Sequence, residues 1–194
     1  MNTLRLSRAP FIAVALLLAA SLPPAALAQL SPQYSRDARP LPPAQRQERY
    51  FLQQSSAHVR LQAEASQLAL ARSNNPAVKE LAKLVLARHR TAQPEVLRML
   101  QSRGMAMPLS TNEANKLIKQ LSKLKGAQFD RLYVEEAVLR TYQMDVVNYE
   151  KMATQAEDSV LKAWVERQLP VLRTHVEQAS RALPGASLRG QRAV

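Results

Sequence analysis

Apolar residues recur at helical spacing from about residue 46 to residue 183, and no stretch shows the sustained alternation of a strand. The first run, about 46–72, places Phe51, His58, Leu61, Ala65 and Leu68 on one inward stripe, with Glu64 on its margin. The second begins at Asn75-Pro76, where an N-cap side chain precedes a proline that suits the first helical position. Val78, Leu81, Ala82 and Val85 follow on one face, and His89 falls four residues later on the same stripe. Pro94 predicts a kink rather than a stop, because Val96, Leu97, Met99 and Leu100 resume the pattern before Gly104 closes the helix.

A short amphipathic helix follows a capping box at Ser110-Thr111-Asn112-Glu113. Leu117, Ile118, Leu121 and Leu124 line one side of it, and Lys116, Lys119 and Lys123 another, with Lys125 just beyond. The third long run, about 127–156, carries Phe129, Leu132, Leu139, Val146 and Tyr149, and sets Glu136 and Gln143 on the same face. The fourth, capped by Asp158 or Ser159 and reaching about Leu183, carries Trp164, Val171, Leu172, His175 and Ala179, with a kink expected at Pro170. Four long amphipathic helices with short connections predict an all-α antiparallel four-helix bundle, with one extra short helix crossing an end.

The ends change the picture. Arg5 and Arg8, the apolar run Phe11 to Ala20 and the Ala26-Leu27-Ala28 site spell a secretory signal peptide over 1–28. Removing 28 of 194 residues leaves 166, enough for one bundle domain over 46–183 between a proline-rich leader (29–45) and a basic tail (184–194). The chain has no cysteine, so an exported fold must hold by packing alone. Export to the periplasm is the simplest address, with the outer membrane and the medium as the other two. Without Arg5 and Arg8, 25 basic residues face 15 acidic ones, about +10 at neutral pH. Outside the inner membrane such charge points to lipid headgroups and anionic envelope polymers rather than nucleic acid.

The order Glu64, NPAVKELAKLVLARH, AQFDRLYVEEAV and LPVLRTHVEQA resembles a bacterial exported family known as domain of unknown function DUF4142, over roughly residues 46–183. That resemblance implies a ferritin-like four-helix bundle and export, and no established activity. Glu64, His89 and His175 match its acidic and histidine positions. The chain departs from the family where Arg88 replaces the aspartate before the second-helix histidine. It departs again where Thr141 or Tyr142 replaces a third-helix histidine.

A di-iron centre of the ferritin type needs Glu-x-x-His on two helices, but Leu86 and Leu172 stand three residues before His89 and His175. A reduced site remains conceivable in chemical terms: Glu64, His89 and His175, with Glu136 as a fourth ligand, around a single zinc, iron or copper ion. The plainer reading makes both histidines core residues hydrogen-bonded to neighbours, and His58 structural. No phosphate loop, nucleophile elbow or thiol is present. The expectations are therefore a non-catalytic, envelope or stress-related binding module, a metal binder, or a polyanion and membrane-surface binder through Lys116, Lys119, Lys123 and Lys125. The partner and oligomeric state are not encoded in any motif.

Overall fold

The computed structural model describes residues 40–183, so the signal, most of the leader and the tail lie outside the described residues. Helix α1 (Pro43–Arg72) starts three residues before the predicted boundary, with Pro43 in its first turn. A three-residue turn returns the chain into α2 (Pro76–Gln101), where Asn75 accepts a hydrogen bond from the Ala77 N–H at 2.9 Å. The helix runs through Pro94 without a break. It ends at Gly104, whose φ of 62° lets Met105 N–H reach back to Leu100 carbonyl and Gly104 N–H to Gln101 carbonyl, the paired bonds of a Schellman stop.

The long crossing to the second half of the bundle carries α3 (Asn112–Leu121), which rests against α1 and buries only Leu121. Its cap is Thr111, which accepts from Ala114 N–H, so the predicted box at Ser110 is shifted by one residue. The third long helix is a composite of α4 (Gly126–Leu132), a π-helical segment (Tyr133–Arg140) and α5 (Thr141–Gln155). After a second three-residue turn, Asp158 caps α6 (Ser159–Ala182) by accepting from Val160 and Leu161.

α1 packs on α2, α5 on α6, and the pairs meet through α2 with α6 and α1 with α5. This is a four-helix bundle of ferritin-like architecture with an added short helix, and no strand occurs among the described residues. No described helix is long and apolar enough to cross a membrane. One end is knitted by polar contacts: Glu48 accepts from the Glu157 and Asp158 N–H groups, and Arg103 pairs with Asp158. Above them Phe51, Tyr149 and Trp164 meet edge-on or tilted, with ring centroids 4.8–6.4 Å apart.

Two stripes differ from the apolar pattern. On α1 the buried positions include Ser55, Ser56, Gln62 and Ser66, while Leu61 and Leu68 are only half-buried. On the composite helix Phe129, Tyr133, Ala137, Thr141, Asp145 and Tyr149 are all buried at steps of four. In a straight α-helix each such step overshoots a full turn by about 40°, roughly 200° over five steps. The wider turns of the π segment absorb part of that drift and keep Asp145 facing inward. Val171 of the predicted α6 stripe lies outside the core, at 38% exposure.

Candidate functional site

The four candidate metal ligands do not converge. Glu64 is exposed and lies 3.9 Å from Arg60 on its own helix. Glu136 pairs at 2.9 Å with Arg140, one turn on. His89 is half-buried on α2, whereas His175 is buried on α6 against Tyr142. Among the described residues no group of three His, Cys, Asp or Glu side chains lies close enough to hold a metal ion. The physical reason is helical phase: Arg88, rather than His89, takes the inward position on α2.

The structure instead gathers a polar layer from all four long helices. His58 on α1 donates through Nδ1 to Asp145 Oδ1 on α5 at 2.6 Å. Gln62, one turn beyond His58, donates to Thr141 Oγ1 at 2.9 Å and to Asp145 Oδ2 at 3.3 Å. Its carbonyl oxygen accepts from Arg88 Nη1 at 3.4 Å. The Arg88 guanidinium lies 5.5 Å from the centre of the Tyr142 ring, and the Tyr142 hydroxyl meets His175 Nδ1 at 3.0 Å. Ser66 Oγ donates to the backbone carbonyl of Gln62, not to its side-chain oxygen, and lies 2.8 Å from the Tyr133 hydroxyl. Arg88 Nε and Nη2 and the Tyr149 hydroxyl, all buried, have no protein partner.

Environment gives each group its charge. Burial opposes a charge on His58, but the hydrogen bond and negative charge of Asp145 together outweigh it and the repulsion of Arg88, so its pKa rises above the ordinary value. Burial, with Arg88 adding to it, pushes His175 down to about 4; His89 shifts down for the same two reasons. Burial dominates at Tyr142, pushed up to about 12, and likewise raises Tyr133 and Tyr149. At neutral pH the tyrosines are therefore neutral, and Asp145 supplies the negative charge that faces Arg88 and His58.

His58 reaches the surface in the lining of a groove of about 600 Å³ between α1, α3 and the π segment with the start of α5. Leu61, Leu117, Leu132 and Met144 give it apolar walls, while Lys116, Glu113 and the Glu136–Arg140 pair mark its rim. The groove volume lies within the roughly 300–1,000 Å³ of ordinary ligand sites. Lys116, Lys119, Lys123 and Lys125 are all exposed, and none has an ion-pair partner among the described residues.

Sequence reasoning placed His175 correctly in the core but missed Asp145, Gln62 and the inward Arg88. The usable signal was the four-residue ladder of Tyr133, Thr141, Asp145 and Tyr149, in which a carboxylate sits among core positions.

The family described as domain of unknown function (DUF4142) matches residues 34–182. No curated protein matches the chain. Two solved structures share the fold. One is a DUF305 protein from Streptomyces coelicolor described as secreted, 13% identical with a TM-score of 0.61, covering 73% of this chain and 94% of its own. The other is a DUF305 fragment from Deinococcus radiodurans, 20% identical with a TM-score of 0.61, covering 74% and 97%. The chain belongs to the DUF4142 family.

Proposed function

We propose that this member of the DUF4142 family is an exported, non-catalytic binding module of the cell envelope, working through the groove beside α3. The observation that carries the reading is His58, bonded to Asp145, in the lining of that groove. A buried ion pair costs desolvation energy and adds little net stability against an apolar alternative. Here it sets an imidazole in a cleft whose lining mixes Leu61, Leu117, Leu132 and Met144 with Glu113, Lys116 and Glu136, which suits recognition of a ligand part apolar and part polar. Catalysis has less support: among the described residues the one side-chain partner of the His58 ring is Asp145 and that of the His175 ring is the buried Tyr142 hydroxyl, so no serine or threonine hydroxyl is bonded to either imidazole. Export is supported by the signal-like opening residues and by a structural neighbour described as secreted.

Amide-resolved NMR of the purified chain titrated with an envelope extract tests the groove. Shifts clustered at Ala57, Leu61, Ala114, Leu117 and Leu132 support the reading, and shifts confined to other faces remove it.

A second reading has its own observation, the four exposed lysines on and beside α3, which have no ion-pair partner among the described residues. It makes this face a docking surface for anionic headgroups. Retention on phosphatidylglycerol vesicles, weakening steeply with salt, is the expected result. Equal retention on neutral vesicles, or none, counts against it.

A further inference from the structure

We infer that a second cavity, between the first half of α1 and the second half of α5, binds a small aromatic acid bearing a hydrogen-bond donor opposite its carboxylate. The cavity opens onto Asp145 rather than His58 and is distinct from the groove beside α3 in its lining, sharing only Gln54. Its volume of about 340 Å³ stands near the lower limit for ligand sites, which restricts the occupant to a compact molecule.

Three features of the wall define the chemistry. The deep lining is Phe51 and Met152, both 5% exposed, a ring and a thioether that favour a flat apolar body. The exposed ring of Tyr50 extends that surface outward. At the mouth stand two cations, Arg46 and Lys151, both exposed and neither ion-paired among the described residues. Arg46 is steadied by donating to the Leu41 carbonyl at 2.6 Å, which leaves other guanidinium N–H groups for an anion. Among the described residues no carboxylate lines the mouth.

Asp145 at the base is the third feature. Its oxygens accept one bond each, from His58 and Gln62, and an ionised carboxylate has about four acceptor positions. The remaining acceptor positions of this buried carboxylate, with Ser55 beside it in the lining, can take a donor from the ligand. An anionic group at the mouth, a ring along Phe51 and a hydroxyl at Asp145 satisfy all three at once.

Isothermal titration and amide NMR of the full chain with 4-hydroxybenzoate, benzoate and 4-hydroxybenzamidine test the assignment. The expected result is one 4-hydroxybenzoate per chain, with shifts at Phe51, Ser55, Asn148 and Lys151. Benzoate, lacking the donor, binds about tenfold more weakly or worse. The cationic amidine does not bind. Arg46→Glu with Lys151→Glu weakens 4-hydroxybenzoate at least about tenfold at an unchanged melting temperature, since both side chains are exposed. The inference falls if 4-hydroxybenzoate and other para-hydroxylated aromatic acids fail to saturate the chain, or if the charge-reversed variant binds as the parent does. Shifts confined to Ala57, Leu117 and Leu132 place the acid in the other groove and overturn it equally, while leaving the binding-module reading intact.

Discussion

His58 and His175 feel the same buried guanidinium, yet the bundle keeps one charged more readily and the other neutral. The region around His58 contains Asp145, and the region around His175 contains the hydroxyl of Tyr142. Burial lowers both imidazoles, so the partner decides the outcome. A carboxylate at 2.6 Å more than repays desolvation, and a neutral phenol at 3.0 Å does not. A histidine on an apolar stripe therefore has no charge state of its own until the side chain across from it is known.

The strongest way to break this contrast is to remove the carboxylate. Asp145→Ala leaves Arg88 and His58 together without an anion, and the expected loss is about 3–5 kcal/mol in urea unfolding at neutral pH. An unchanged midpoint means that Asp145 does not organise the layer.

The pH dependence sharpens it next. His175 has a folded-state value near 4, below its ordinary 6.5. Between those values the unfolded chain takes up a proton that the folded chain excludes, so this residue makes stability fall on acidification, by up to about 3 kcal/mol. His58 runs the other way: its raised value gives a contribution complete below about pH 6.5 and lost as pH rises through the folded value. Urea melts at neutral pH and near the acid end of that window should show His175→Gln losing less stability than the parent chain. Parallel losses refute a neutral, excluded His175.

The smallest expected effect separates two tyrosines. Tyr142→Phe leaves His175 Nδ1 without its partner and should cost about 1–2 kcal/mol. Tyr149→Phe removes a buried hydroxyl that has no partner and should be neutral or mildly stabilising in the same thermal melts. Equal effects erase the distinction between the two sides of the layer.

The helix ends were legible because caps are local. Asn75-Pro76, Asp158 and Gly104 act through bonds within a few residues, and each does what its type predicts. The inward faces were less so. A hydrophobic pattern passes over Ser55, Gln62 and Ser66, whose burial depends on partners donated from other helices. It also assumes a constant pitch, which Tyr133–Arg140 does not keep. For the same reason Glu64, His89, His175 and Glu136 share a plausible chemistry on paper but are not brought together among the described residues. Arg88, which read as a departure from the family pattern beside a histidine, is itself the inward residue.

The π-helical segment imposes a counting rule on descent. Because Phe129 and Asp145 keep the same facing only with the present number of residues between them, a single insertion or deletion there would swing everything downstream by about 100°. The carboxylate would leave the imidazole, and Tyr149 would leave the aromatic cluster, in one event. Point substitutions can accumulate along this stretch one at a time, but its length can change only if the rest of the helix is rewritten with it.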